Sequence, residues 1–291
     1  MRENGKRSVC MFGRMGYMSV FALFLLTACQ NEPVLENEQP DAMEQQSVSE
    51  EDDSGMAEKV GDSEEISEEA EDEESIAKIE PQYELNPETY SIVPIGDANP
   101  KVVLLTIDDA PDKRALDMAK TLKELDAPAI FFVNGHFITT EEKETALKEI
   151  YEMGFMIGNH TKTHANLKSL SEEEQREEIL FVNDKVEEIT GERPHFFRAP
   201  FGVNTDFSRE LAKAEGMQLM NWSYGYDFEK EYMTKDKIAD IMVNTELLRD
   251  GANLLMHDRE WTADALDEIV TGLREKGYEL VDPHFIKGFD E

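Results

Sequence analysis

The sequence predicts an α/β fold whose parallel sheet has enough strands to close into a barrel, and three observations predict it. Residues 102–107, VVLLTI, are apolar or β-branched without polar alternation, the pattern of a strand buried on both faces beneath covering helices. Downstream, short apolar runs alternate with segments of helical spacing, which implies repeated right-handed β-to-α crossovers. Polar residues that are out of place in strands fall at strand C-terminal ends: Asp108 and Asp109 after the first, His160 and His164 after the third, Arg198 after the fourth, Trp222 after the fifth and His257 after the sixth. In a barrel those ends meet on one face, where ligands and catalytic groups gather.

The elements follow in order. Helical spacing over residues 112–125 places Ala115, Met118, Ala119 and Leu122 on one face of a helix beginning near Pro111, and an aspartate just before it could serve only as its cap. Residues 129–133 read as the second strand. Thr139-x-x-Glu142 resembles a capping box opening a helix that ends near Gly154, and residues 155–158 form the third strand. Ser171-x-x-Glu174 is a second capping box; it starts the longest amphipathic helix, with Ile179, Val182, Val186 and Ile189 inward and Gly191 closing it before Pro194. Residues 195–197, 217–222, 252–256 and 278–281 read as strands. Residues 207–215, 235–248 and 262–276 read as helices, the last capped by Thr262 and ended by Gly277. Residues 81–99 are punctuated by proline and are expected to form an irregular extension.

The N-terminal part of the 291-residue chain is of another kind. Arg2, Lys6, Arg7 and Arg14 precede an apolar run over residues 15–26, too short to span a bilayer and typical of a secretory signal. The run ends in Leu26-Thr27-Ala28-Cys29, which resembles a bacterial lipoprotein cleavage box. Residues 1–28 are then a signal peptide and Cys29 the lipidated first residue of the mature chain; an ordinary signal beside an unrelated cysteine is the alternative. The other cysteine, Cys10, would leave with the signal, so the mature chain would form no internal disulfide. Residues 30–80 carry twenty acidic residues against Lys59 and Lys78, a net charge of −18. Such a segment buries too little apolar area to offset ordering entropy, so residues 29–80 are expected to be a disordered tether. Of the total charge of −35, residues 81–291 hold −20, which argues against nucleic acid as a partner.

His160-Thr161-Lys162-Thr163-His164 is an H-x-x-x-H pair, a spacing that would place both imidazoles on one side of a helical turn. A carboxylate from another strand, Asp108 or Asp109, would complete three ligands and leave positions for water, the catalytic arrangement.

The succession Thr106-Ile107-Asp108-Asp109, His160-Thr161-x-x-His164, Arg198-x-Pro200-Phe201-Gly202, Trp222-Ser223 and Leu255-Met256-His257-Asp258 resembles the polysaccharide deacetylases of the NodB-homology type, carbohydrate esterase family four. The resemblance implies an incomplete (β/α) barrel over residues 100–291 that removes N-acetyl groups from cell-wall glycan, above all the N-acetylhexosamines of peptidoglycan. It implies Asp109, His160 and His164 as ligands of a divalent metal, zinc first, with cobalt or manganese as alternatives. Asp108 would be the general base, with Arg198 pairing and orienting it. The backbone N–H of Phe201, in the Pro200 turn, would stabilise the oxyanion. His257 would protonate the leaving amine, and Trp222 and Leu255 would wall the acetyl pocket. The expected protein is a monomer, anchored to the bacterial membrane through Cys29 and facing the wall.

Two departures from the family pattern stand out. Ala110 replaces the glycine usual after the aspartate pair. Gly225 stands where the fourth motif places the aspartate that tunes the catalytic histidine, and Asp227 is the substitute nearby. They motivate the alternative of a non-catalytic or weakly active wall-binding lipoprotein on a deacetylase scaffold. His136, His195 and His284 match no motif and are taken as structural, His136 being the nearest to an exception.

Overall fold

The computed structural model describes residues 80–288, so the signal, Cys29 and the acidic tether up to residue 79 lie outside the described residues. The core is a curled parallel sheet in the order β7 (Gln218–Leu219), β6 (Phe196–Phe197), β5 (Met156–Asn159), β4 (Ile130–Val133), β3 (Val102–Ala110), β8 (Ala252–His257), with β9 (Glu279–Leu280) beside the start of β3. Strand β3 (Val102–Ala110) is buried along all nine residues, three residues further than its apolar run predicts. It is followed by β4 (Ile130–Val133), β5 (Met156–Asn159), β6 (Phe196–Phe197), β7 (Gln218–Leu219), β8 (Ala252–His257) and β9 (Glu279–Leu280). Helices α1 (Ala115–Glu124), α2 (Glu141–Glu152), α3 (Glu172–Thr190), α4 (Asp206–Ala214), α5 (Lys235–Asn244) and α6 (Glu260–Glu275) alternate with them.

Side chains of β3 alternate between two cores. Val103, Leu105 and Ile107 pack with helix residues such as Met118, Leu122, Leu266 and Ile269. Leu104 joins Ile130, Phe132, Phe196 and Met220 inside the curl of the sheet. Each such side chain, fully buried, contributes about 1.5–3 kcal/mol. The segment after β7 joins the two sheet edges: the N–H of Ser223 donates to Asn253 O (2.7 Å) and that of Leu255 to Tyr224 O (2.8 Å). Only two residues there are in strand register with β6, so Trp222 follows a strand much shorter than residues 217–222.

Residues 81–99 are more regular than expected. They contain an antiparallel hairpin of β1 (Tyr83–Leu85) and β2 (Ile92–Pro94). Tyr83 and Ile92 extend the inner core, and the N–H of Ile92 donates to Gly251 O just ahead of β8 (2.8 Å). Gly251 has φ +74°, and a Cβ there would collide with the carbonyl of Ile92, so the hairpin's seat at the strand N-termini requires glycine.

Helix boundaries moved for identifiable reasons. Ser171 makes the expected capping box with Glu174, and Gly191 closes α3 at φ +87°. The cap of α2 is Thr140, whose side chain accepts from the N–H of Lys143, rather than Thr139. Helix α1 starts at Ala115, later than Pro111, because its cap is supplied from another element: the carboxylate of Asp258 accepts from the N–H groups of Lys113 (2.7 Å) and Arg114. Helix α5 stops at Asn244, short of Leu248. Helix α6 starts at Glu260, so Thr262 lies inside it and does not cap it.

Candidate active site

The alternation of β3 turns Leu104, Thr106 and Asp108 inward, and a regular strand would send Asp109 the other way, toward the helices. The pairing of β3 with β4 instead shifts register between Ile107 and Ala110, and Asp109 adopts φ +63°. A bulge of this kind re-aims a side chain. Both carboxylates consequently line one cavity of about 420 Å³, together with His160, His164, His257 and Arg259. Among the described residues, six other than glycine have left-handed φ, and four of them, Asp109, Thr161, His164 and Phe201, lie at this edge. Backbone strain held in one place by its surroundings is characteristic of functional sites.

The two histidines do not meet on a helical turn as their spacing suggested. Residues 160–166 form an irregular loop after β5, held by side chains from beneath. The N–H of Thr161 donates to Asn159 Oδ1 (2.9 Å) and the amide of Asn134 donates to His160 O (2.6 Å). The carboxylate of Glu178 on α3 accepts from both the N–H (2.8 Å) and the hydroxyl (2.6 Å) of Thr163. One ligand atom each from Asp109, His160 and His164 falls within a 4.8 Å spread. Asp109 Oδ1 lies 4.0 Å from His160 Nε2 and 3.8 Å from His164 Nε2. His160 Nδ1 pairs with the carbonyl of Arg198 at 2.7 Å, which as an N–H donor fixes the tautomer that leaves Nε2 free to ligate. Burial and the neighbouring His160 push the His164 pKa down against the pull of Asp109 and Asp108, favouring the neutral ligand form. Two imidazole nitrogens and one carboxylate oxygen suit a borderline divalent cation such as zinc, with open positions remaining.

Asp108 is buried beside this set, its Oδ2 3.5 Å from His160 Nε2. Its Oδ1 accepts from Arg198 Nη1 at 2.6 Å. Arg198 is wholly buried. It also donates to Thr106 Oγ1 (2.8 Å), Asn221 O (3.0 Å) and Asn253 Oδ1 (3.3 Å), and its guanidinium lies over the Phe132 ring. On the far wall, His257 Nδ1 donates to Asp227 Oδ1 at 2.7 Å, and the backbone N–H of His257 donates to Asp227 Oδ2 at 2.6 Å. The hydroxyl of Thr262 donates to the same Oδ2 (2.8 Å) and the indole of Trp261 to Asp227 O (2.8 Å). Burial lowers the His257 pKa, but the hydrogen bond and charge of Asp227, reinforced by Asp108 and Asp109, outweigh it and raise the net value. The imidazole is thereby biased toward the proton-donating form.

The profile described as "Polysaccharide deacetylase" matches residues 95–220. A peptidoglycan-N-acetylglucosamine deacetylase of Bacillus cereus is 30% identical over 213 residues, covering 68% of this chain and 93% of that protein. The chain belongs to the polysaccharide deacetylase family. The peptidoglycan-N-acetylmuramic acid deacetylase PdaC of Bacillus subtilis is 35% identical over 187 residues, 64% of this chain but 38% of the longer relative. Among solved structures, a family-four pseudoenzyme of Bacillus anthracis superposes with a TM-score of 0.57 at 30% identity, over 62% of this chain and 63% of that one.

Within this polysaccharide deacetylase domain the structure gathers Asp108, Asp109, His160, His164, Phe201, Trp222, Leu255 and His257 around one cavity. Pro200 is buried at the start of its turn and stays off the cavity wall, while Phe201 has φ +59° and is 61% exposed. Asp227 is fully buried and reaches the cavity only through His257. The three motif-free histidines line other surfaces: His284 pairs with Asp282 and His136 with the Lys162 carbonyl, and His195 sits near Arg193. Sequence reasoning missed Arg259, which donates to Asp109 Oδ2 at 2.7 Å, and Thr262, which holds Asp227. A basic residue two places after His257 in so acidic a chain was the available signal for the first. Nothing in the sequence distinguished the second from a helix cap.

Gly225 proves to be a steric requirement. A Cβ there would stand 2.5 Å from the carbonyl oxygen and 2.7 Å from the Cβ of Leu255, because this segment hydrogen-bonds directly along β8. Gly225→Asp, the change that would restore the family's pattern, is expected to destabilise the domain by about 1–3 kcal/mol, the usual cost of overpacking. A urea midpoint lowered at constant slope is the expected result.

Proposed function

We propose that this protein is a metal-dependent N-deacetylase of peptidoglycan, acting on its N-acetylhexosamines. The observation that carries this is the convergence on one cavity of a two-histidine, one-carboxylate set, a separate arginine-held carboxylate and an aspartate-held histidine. Asp109, His160 and His164 would hold the cation, which when bound supplies polarisation of the acetamide carbonyl and acidification of water. Asp108, oriented by Arg198, accepts the proton of the attacking water. The N–H of Phe201 donates to the developing oxyanion. His257 gives its proton to the nitrogen as the carbon–nitrogen bond breaks, so acetate and a free amine leave. Leu255 and Trp222 exclude water around the acetyl methyl.

The basic lead, the apolar run and Cys29 support secretion and lipid anchoring to the bacterial cell membrane on its wall-facing side, with residues 29–80 as spacer to the wall. Likeness to a pseudoenzyme favours one second reading, a wall-binding protein without turnover. The purified protein, stripped of metal and reloaded with Zn²⁺ or Co²⁺, is expected to release acetate from N-acetylated peptidoglycan. Retention on insoluble peptidoglycan without any acetate would sink the enzymatic reading in favour of the second.

A further inference from the structure

Each of the two adjacent carboxylates has its own arginine, and the two arginines differ. Arg198 is buried, and its two terminal nitrogens donate to Asp108, Thr106, Asn221 and Asn253. Arg259 precedes α6, and its side chain lines the cavity at 28% exposure. Its Nη2 donates to Asp109 Oδ2 at 2.7 Å, whereas its Nη1 stands 3.8 Å from Asp112 Oδ2, beyond hydrogen-bond reach. A guanidinium has five N–H donors, and among the described residues that of Arg259 commits one hydrogen bond, to Asp109. The bond to Asp109 anchors one corner of the fork and leaves the rest pre-organised for a planar anion. The charge balance agrees: residues 81–291 carry −20, yet Asp108 and Asp109 on the cavity floor are offset by Arg198 and Arg259.

Resting on the deacetylase reading above, we propose that Arg259 is a specificity residue that binds a carboxylate carried by the substrate sugar beside its acetamido group. The sugar that fits is the N-acetylmuramic acid unit of a strand freed of its stem peptide, whose lactyl ether, on the ring carbon next to the one bearing the acetamide, ends in a free carboxylate. The neutral N-acetylglucosamine unit offers no such partner. The two oxygens of Asp109 thus have separate duties: Oδ1 faces the two histidines, and Oδ2 accepts from Arg259, whose free edge is presented to the sugar.

The test uses the full chain and two soluble peptidoglycan oligosaccharides that differ only at the lactyl group, one a free acid and one its primary amide. The ratio of kcat/KM for acid over amide is expected to be about tenfold, the worth of one charge-assisted hydrogen bond. It should fall to about one in Arg259→Ala and lie between in Arg259→Lys, which keeps the charge and loses the fork. Because each ratio compares two substrates on one enzyme, altered metal content or folded fraction cancels. A wild-type ratio near one, or a ratio unchanged in Arg259→Ala, overturns the proposal. If neither oligosaccharide yields acetate, the deacetylase reading fails instead, and calorimetric binding of the same pair decides this one. Acid-selective binding lost in Arg259→Ala supports it, and equal binding overturns it.

Discussion

Asp108→Asn is expected to lower acetate release by on the order of 10²–10⁴-fold, the usual contribution of a positioned general base, while metal binding persists. The separation follows from the geometry. Asp109, His160 and His164 are the group that could hold a cation, without Asp108, and an asparagine can still accept from Arg198 through its side-chain oxygen where Oδ1 now stands 2.6 Å away. The fold and the cation site should both survive while the proton acceptor is lost. Titration of the apo variant with Zn²⁺ beside an acetate assay checks both halves. A variant that keeps more than about a tenth of wild-type turnover would remove Asp108 from the role of base.

Arg198→Met is expected to have the largest effect on stability, about 3–5 kcal/mol, because it leaves the buried Asp108 carboxylate without its counter-charge. The loss extends beyond one ion pair. Thr106, Asn221 and Asn253 each give up a partner, and buried polar groups without partners are costly. The remedy is also predictable: in Arg198→Met with Asp108→Asn, the uncompensated charge is gone, so the double variant should be less destabilised than the sum of the two single changes. Urea denaturation of the three variants measures the coupling, and strict additivity would mean that the pair is not a unit.

The strands and most helices were legible because their signals are local. The apolar run of β3, the capping box of α3 and the left-handed Gly191 depend on neighbours within a few residues. Errors fell where a distant element supplied what the local sequence lacked. Helix α1 starts late because Asp258 caps it from beyond β8, and Thr262 is buried in α6 because Asp227 needs its hydroxyl. The β1–β2 hairpin went unread since its strands are three residues each, too short for any periodicity to register.

By itself, the sequence determined the parallel α/β architecture, the edge on which chemistry gathers and the identity of nearly every side chain around the cavity. Tertiary structure decided how those side chains are aimed and held. A bulge turns Asp109 into the same cavity as Asp108, a strained loop rather than a helical turn brings His160 and His164 together, and Asp227 reaches His257 from a segment where Gly225 leaves no room for a side chain. The physical reason is one of range: strand and helix signals repeat along the chain, whereas carboxylate direction, the holding of His257 and the placement of Arg259 depend on groups brought together only by folding.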